Sequence, residues 1–258
     1  MRMKTSKIYF LSTIGLMSAV VITMAILVKK GGIFECFEEE SDYAAEFSYT
    51  VDEGSIVIDK YMGNRTSVVI PAEMEGMPVT AIENFAFYEC RRLVKVTLPD
   101  SLEGIGHAAF EGCTSLKEIT IPEGVTDLGG SVFYRCRNLR SIVILGRVTG
   151  IYEDSFGYCK KLKNISLPES VTEIGDAAFY GCSSLTQLEL PKSLEEIGRD
   201  AFGRCTRLTE ITIPESVEEL EQFAFEDCKK LKAVEVPEHI AIDDRAFQGC
   251  PRITVIKY

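Results

Sequence analysis

The chain has 258 residues, of which 46% are hydrophobic and 26% charged, and its formal net charge is −11. The first 30 residues hold five basic and no acidic side chains, so residues 31–258 carry 23 basic against 39 acidic side chains, a net charge of −16. This acidic balance excludes the uniformly basic surface of a nucleic-acid-binding domain, and we predict no nucleic-acid partner.

An apolar segment begins the chain. Residues 8–28 are 21 residues without a charge, with basic residues on both sides. That length suits a bilayer-spanning helix and exceeds the roughly 7–15 apolar residues of a cleavable signal. We predict a cytoplasmic tail and signal-anchor helix over residues 1–30, with the C-terminal domain outside the cytoplasm by the positive-inside rule. Secretion after signal cleavage is the alternative, and residues 31–46 are predicted to be an acidic linker.

A repeated motif organises the rest of the chain. Phe-x-x-Cys occurs eight times, with six intervals of 23 residues and a last interval of 22. A fixed period in this range is typical of a solenoid, whose coils bury their apolar faces only by stacking. The motif begins at Phe87, Phe110, Phe133, Phe156, Phe179, Phe202, Phe225 and Phe247.

Each period contains the same predicted elements. Alternation such as that of residues 118–121 predicts a strand, which the following proline ends because it lacks an N–H. Residues 175–182, Gly-Asp-Ala-Ala-Phe-Tyr-Gly-Cys, predict a single helical turn that Asp176 can cap.

Two of these units carry a family resemblance. ITIPEGVTDLGGSVFYRCRNL and ISLPESVTEIGDAAFYGCSSL resemble BspA-type leucine-rich repeats, and the resemblance extends over roughly residues 47–258. It implies an α/β leucine-rich repeat solenoid, right-handed and mostly β with short helical turns, here joined to one N-terminal transmembrane helix. We assign residues 47–82 to an N-terminal cap with a first irregular unit, and residues 83–258 to the repeats. Such proteins are typical of bacterial or protist cell surfaces, some as adhesins, and the shared positions are structural.

Eight of the nine cysteines share one site in the repeat. Parallel Cβ vectors in stacked coils would hold neighbouring Cβ atoms too far apart for a disulfide, so we predict a ladder of small buried hydrophobic side chains. A metal ladder is the alternative, but the site lacks histidine and carboxylate. Cys36, in the linker, could form an intermolecular bridge.

The solvent-facing positions of the predicted strands form a candidate binding surface. They are small and polar with almost no aromatic residue, which suits a weak or multivalent protein partner or a hydrated glycan. The candidate residues are Lys95, Thr97, Glu118, Thr120, Asn164, Ser166, Gln187, Glu189, Glu210 and Thr212.

Charge is sorted within the period. The two residues after each repeat Cys and the one after the following Leu or Ile provide 24 positions, of which 13 are basic and none acidic. We call these the basic stripe: Arg91, Arg92, Lys117, Arg137, Arg140, Lys160, Lys161, Lys163, Arg207, Lys229, Lys230, Lys232 and Arg252. The turn after the proline is an acidic stripe: Asp100, Glu103, Glu123, Asp127, Glu169, Glu173, Glu195, Glu196, Glu215, Glu218, Glu219 and Glu238. The basic stripe is either a row of solvated turns or a surface that binds polyanions such as acidic glycans.

One repeat departs from the pattern. Leu145 replaces the proline, Arg147 interrupts the acidic stripe, and Tyr152 takes a position that is glycine in four other repeats. Arg147 and Tyr152 are therefore candidate contact residues of the kind that binding hot spots favour, with drift of the repeat as the alternative.

No pattern for catalysis, cofactor binding or metal binding is present. The two histidines are predicted to lie far apart, and there is neither a phosphate-binding loop nor a nucleophile elbow. We predict a non-enzymatic, membrane-anchored extracytoplasmic binding module for a protein or glycan, as an adhesin would be. The alternative is a structural or assembly subunit of the cell envelope, which would self-associate through its C-terminal edge or Cys36.

Overall fold

The structure, a computed structural model, describes residues 46–258. The predicted cytoplasmic tail, the membrane helix over residues 8–28 and the linker with Cys36 lie outside the described residues. Within residues 46–258, no helix is long and apolar enough to cross a membrane.

The described chain starts with a cap of two hairpins. In each hairpin a Glu-Gly pair has positive φ at both residues, 46° and 85° at Glu53–Gly54 and 54° and 76° at Glu75–Gly76, as the tight turn between antiparallel strands requires. The second hairpin lies within residues 71–82, where the first unit has five more residues than later repeats. The cap strands, numbered in chain order, are β1 (Phe47–Asp52), β2 (Ser55–Tyr61), β3 (Ser67–Val69), β4 (Glu73–Met74) and β5 (Met77–Ile82).

Strands that follow the repeat leucine form the front sheets. They pair in parallel and in register, so that Glu118, Ser141 and Asn164 are direct neighbours. The repeat strands are β6 (Lys95–Thr97), β8 (Glu118–Ile121), β10 (Ser141–Ile144), β12 (Asn164–Ser166), β15 (Glu210–Thr212), β17 (Ala233–Val236) and β19 (Thr254–Lys257). The order β12-β10-β8-β6-β3 forms a five-stranded sheet and β15-β17-β19 a three-stranded one, because residues 185–190 between them form no strand.

Shorter strands after the proline form the side sheets. The repeat strands are β7 (Gly104–Ile105), β9 (Asp127–Leu128), β11 (Gly150–Ile151), β13 (Glu173–Ile174), β14 (Glu196–Ile197), β16 (Glu219–Leu220) and β18 (Ala241–Ile242). The orders of the side sheets are β1-β2-β5-β7-β9, with β4 attached to β5, then β11-β13-β14 and β16-β18. The first hairpin of the cap thus joins the repeats through the parallel pairing of β2 with β5 and of β5 with β7.

Glycine just after the side strand determines how closely two coils approach. At Gly106, Gly129, Gly175 and Gly198 a Cβ would lie less than 3.0 Å from the backbone of the preceding coil. Their amides donate to a carbonyl of that coil at 2.7–2.8 Å. Tyr152 and Glu221 occupy the same position in two coils, and within the described chain neither amide makes this hydrogen bond. The side sheets are interrupted at these two coils, between β9 and β11 and between β14 and β16.

The predicted short helical turns are wrong. Residues 46–258 contain no helix, and Ala177 in the segment predicted to be helical has a φ of 54°. Its amide donates to the carbonyl of Arg199 in the next coil (2.8 Å), and the carboxylate of Asp176 accepts from the Arg199 amide (2.8 Å) rather than capping its own turn. Bonding between coils therefore replaces the bonding within a helix.

The core is a column of side chains inside the coils. The eight repeat phenylalanines stack face to face, with neighbouring ring centroids 4.9–5.7 Å apart and planes within 19° of parallel. Tyr61 of the cap extends the stack at 5.3 Å, so nine rings mark about nine turns of a leucine-rich repeat solenoid. Beside the rings, the six repeat cysteines from Cys113 to Cys228 are buried and unpaired, as the sequence predicts, whereas Cys90 and Cys250 at the two ends are unpaired but only half-buried.

Candidate binding surfaces

The front sheets present the predicted binding surface to solvent. All ten candidate residues, from Lys95 to Thr212, are exposed, while alternate positions such as Ile119 and Ile211 are buried. The alternation arises because successive side chains of a strand point to opposite faces. Gln187 and Glu189 lie in the coil that has no front strand, so they belong to neither front sheet.

The two halves of this surface differ in whether their polar side chains hydrogen-bond to other side chains of the protein. In the C-terminal half, the Gln187 amide donates to Glu210 (3.1 Å) and the Thr212 hydroxyl donates to Glu235 (2.9 Å). In the five-stranded sheet, none of the candidate side chains hydrogen-bonds to another described residue. Those side chains are Lys95, Thr97, Glu118, Thr120, Asn164 and Ser166. The five-stranded sheet therefore keeps its polar groups free for a ligand.

Two exposed apolar side chains lie on the same sheet. Val143 and Leu145 are 45% and 50% exposed and line a shallow groove of 840 Å³ together with Lys95, Thr97 and Thr120. Leu145 stands where other repeats have proline, and its amide extends the ladder by donating to Ile121 (3.0 Å). The irregular repeat thus contributes an exposed leucine to the front surface.

The basic stripe is partly neutralised at its two ends. Arg91 pairs with Glu89 (2.7 Å) and Lys229 with Asp227 (2.6 Å). Both acids stand at the same repeat position, two residues after the phenylalanine. In the three repeats that follow Phe110, Phe133 and Phe156, that position holds Gly112, Arg135 and Tyr158, so no acid is available there.

Six cations in the middle of the stripe remain without an ion pair among the residues that the structure describes. All six are exposed, and Lys161 donates only to the Asn138 side chain (2.6 Å). We call them the basic cluster: Lys117, Arg137, Arg140, Lys160, Lys161 and Lys163.

Carboxylates crowd on the side-sheet surface. Residues of the acidic stripe, with Glu153, Asp176 and Glu221, line an open groove of 850 Å³. Burial, and then the neighbouring carboxylates, raise the pKa of Glu173 and of Glu221. Over residues 46–258 no group of three or more potential ligands is placed to hold a metal ion.

The two residues singled out in the irregular repeat have different surroundings. Arg147 is exposed. Tyr152 is half-buried and packs over its own repeat, where a Cβ at Gly150 would overlap its ring. Tyr152 therefore fills space that Gly150 leaves open, while Arg147 stays available to a partner.

Sequence reasoning missed a ladder of half-buried tyrosines, which stand one or two residues after the core phenylalanines. The Tyr158 ring contacts those of Tyr134 and Tyr180 edge to face, with centroid distances of 5.8 and 5.4 Å. The guanidinium of Arg135 lies over the Tyr134 ring at 4.9 Å. Gly157 makes room for Tyr134, because a Cβ there would meet that ring. The signal was present in the sequence as tyrosine and glycine that alternate around the Phe-x-x-Cys motif in successive repeats.

The fully buried repeat thiols are held protonated, and the two histidines lie on separate coils. Burial raises the pKa of the Cys205 thiol to about 12 and also raises that of Cys159 and Cys182, so these thiols stay protonated at neutral pH. His107 and His239 stand near different carboxylates, Glu153 at 4.0 Å and Glu215 at 3.9 Å. They belong to separate coils and do not share a site.

Fold and surface together define a class of protein: a leucine-rich repeat solenoid with an exposed, polar sheet face. Residues 80–183 and 149–258 match the profile of the BspA type Leucine rich repeat region in six copies. The chain belongs to this family, which confirms the resemblance seen in the sequence. A search of curated proteins gives no match.

Solved structures support the same assignment. The Treponema pallidum leucine-rich repeat protein TpLRR is 31% identical, with 83% of this chain and 84% of that chain aligned at a TM-score of 0.53. A leucine-rich repeat protein from Bacteroides ovatus is 27% identical, with 82% and 70% aligned at 0.59. One from Eubacterium ventriosum shares the fold at 20% identity and a TM-score of 0.57, with 81% of this chain and 51% of that chain aligned.

Proposed function

We propose that the chain is a non-enzymatic binding module displayed outside the cytoplasm, where it engages a cell-surface or matrix ligand as an adhesin does. Its family of leucine-rich repeat surface proteins is consistent with binding rather than catalysis. The apolar segment of residues 8–28 supports membrane anchoring in the proposal.

One observation carries the proposal. The five-stranded front sheet combines exposed Val143 and Leu145 with polar side chains that make no hydrogen bond within the described chain. An apolar centre surrounded by free polar groups is the arrangement of a protein-binding patch, in which buried contacts supply affinity and the polar rim supplies orientation.

Substitution of the apolar centre tests the proposal. The purified full-length protein, in a non-ionic detergent, is applied to immobilised cell-surface and matrix fractions, and the bound amount is measured. Val143→Asp with Leu145→Asp should abolish saturable binding, because two carboxylates would be buried unpaired against the ligand. The matched control, Thr126→Asp with Thr149→Asp, adds the same charge to an exposed turn of another surface and should bind normally. Equal binding by all three proteins would exclude the front sheet.

As a second proposal, the chain is a structural subunit that self-associates, and the unpaired edge of strand β19 favours this role. Among the described strands, β19 pairs only with β17, and its Val255 and Ile256 are 40% and 42% exposed. Lys257 opposes assembly, because it aligns with the core residue Val236 and donates to the Glu238 carbonyl (2.9 Å). An inward-facing charge at a sheet edge discourages pairing with another chain. Sedimentation over a range of concentrations, with and without reductant, tests assembly, and a strict monomer excludes it.

A further inference from the structure

We propose that the basic cluster binds a single-chain anionic polysaccharide, one that carries carboxylate or sulfate groups along its length. This inference names a partner class and rests on the proposed function, since it requires the module to meet ligands outside the cytoplasm. It locates that partner in the middle of the basic stripe rather than along the whole of it.

The backbone arranges the cations in a column. The Arg140 amide donates to the Lys117 carbonyl (2.8 Å), and the Lys163 amide donates to the Arg140 carbonyl (3.0 Å). These three residues therefore stand on directly neighbouring coils, at the strand spacing of about 4.8 Å. Arg137 and Lys160 form a second, shorter column three residues earlier in the chain. Two parallel columns present positive charge along the solenoid axis, which matches a linear polymer with charge at regular intervals.

Electrostatics favours occupation of this surface by an anion. Six like charges without an ion pair repel one another, and mobile counter-ions are the partners that solution offers them. A polyanion replaces those counter-ions and releases them, which gives binding that is strong at low ionic strength and falls steeply with salt. Residues 31–258 carry a net charge of −16 even with these six cations included, so the acidic surfaces of the chain repel a polyanion.

The width of the positive surface selects a narrow ligand. The acidic stripe begins on the far side of the front strands, and six residues of extended chain, or about 20 Å, separate Lys117 from Glu123. The three front strands beside the cluster have six outward-facing positions, at residues 118, 120, 141, 143, 164 and 166. Only Glu118 among them is acidic. A single glycan chain fits along the columns, whereas the second strand of a nucleic-acid duplex would approach the carboxylates. The cluster also contains no aromatic or apolar side chain that could anchor a protein partner.

The chain supplies its own matched control. Lys-Lys-Leu-Lys occurs twice at the same repeat positions, at residues 160–163 inside the cluster and at residues 229–232 near the end of the stripe. Lys229 is held by Asp227, and its two neighbouring lysines lie beside that neutralised pair. Lys160→Gln with Lys161→Gln and Lys163→Gln, and the equivalent triple change at Lys229, Lys230 and Lys232, alter the net charge by the same amount.

Binding of heparin by the full-length protein in non-ionic detergent distinguishes the two triplets. The parent should bind at low ionic strength and lose affinity as salt is added. The 160–163 variant should bind about tenfold or more weakly and with a smaller salt dependence, because several additive ionic contacts are removed, whereas the 229–232 variant should lose no more than about twofold. Thermal unfolding verifies that each protein is folded, and it should change little because the altered residues are exposed and a surface ion pair such as that of Lys229 contributes little to stability.

Three results would overturn the inference. No heparin binding at low ionic strength excludes a polyanion site. Equal losses in the two variants mean that net charge, and not the cluster, attracts the polymer. Binding of duplex DNA as tight as that of heparin excludes selection of a narrow chain. None of these results affects the front-sheet test with Val143 and Leu145, so the proposed function and the partner class can fail separately.

Discussion

Cys159 illustrates what a single repeated residue contributes to this fold. Its thiol is fully buried and donates to the carbonyl of Phe133 in the preceding coil at 3.2 Å. That carbonyl already accepts from the Cys136 amide (3.0 Å), and a carbonyl oxygen has two lone pairs. Cysteine is small enough to pack between stacked coils and still offers a weak donor. The repeat cysteines therefore link the coils as well as filling the core.

Ser155 is a buried exception to its column. It replaces the alanine of most other repeats, is fully buried, and its hydroxyl has no hydrogen-bond partner among the described residues. Ser155→Ala should stabilise the protein by about 1–2 kcal/mol, because an unsatisfied buried hydroxyl is removed. Chemical denaturation measures the change in unfolding free energy. The reverse substitution Ala178→Ser, at the same position one repeat later, should destabilise, and a loss of stability in both variants would contradict the assignment.

Each repeat segment is shaped by its neighbours in the stack. Ala177, Phe179 and Gly181 are predicted to belong to a helical turn, yet their amides donate to the next coil at 2.7–2.8 Å. A left-handed φ of 54° at Ala177 aims these donors along the solenoid axis. Strain at a non-glycine residue is offset by the hydrogen bonds that it allows. The stack therefore overrides a local preference for helix.

Substitution of Gly129 tests how closely neighbouring coils pack. A Cβ at this position would collide with the backbone of His107, whereas at Gly104 the nearest atom to such a Cβ lies 3.9 Å away. Gly129→Ala should destabilise by about 1–3 kcal/mol, the usual cost of inserting an atom where there is no room, and Gly104→Ala should be close to neutral. Unfolding midpoints in urea report both effects. Equal changes at the two glycines would refute the close approach of the coils.

Charge sorting is a property of the whole molecule. The basic stripe and the acidic stripe are separated by the front strands, and stacking in register brings together residues about 23 positions apart in sequence. Which cations stay unpaired depends on side chains outside the stripe, such as Glu89 and Asp227 at its ends. Among the described residues, two of the thirteen stripe cations, Arg91 and Lys229, have an acidic partner, and the basic cluster is a run of neighbouring unpaired cations between them.

The pH dependence of stability follows from the same distribution. Burial is the main cause that raises the pKa of five carboxyl groups, those of Glu111, Asp154, Glu173, Asp200 and Glu221. A raised pKa means that the folded chain binds protons more readily than the unfolded chain, so stability should increase as the pH falls from neutral toward about 5. The thermal unfolding midpoint should therefore rise between pH 7 and about pH 5.

Two variants check the cause of that pH effect. Glu173→Gln and Glu221→Gln each remove one of the raised groups and should reduce the rise in the midpoint. Asp227, whose pKa is lowered by its hydrogen bond with Lys229, contributes in the opposite direction. A midpoint that falls steadily from neutral pH would show that paired carboxylates such as Asp227 dominate instead.

The sequence by itself determined the period, the inward phenylalanines and cysteines, the rows of exposed strand residues and the sorting of charge. All of these depend on spacing along the chain, which a 23-residue repeat states directly. Only the tertiary structure decided the conformation around each phenylalanine, the interruptions of the sheets at Tyr152 and Glu221, and which stripe cations have an acidic partner among the described residues. These depend on contacts between coils, where the fit of one side chain against the next backbone outweighs local preference and cannot be read from a single repeat.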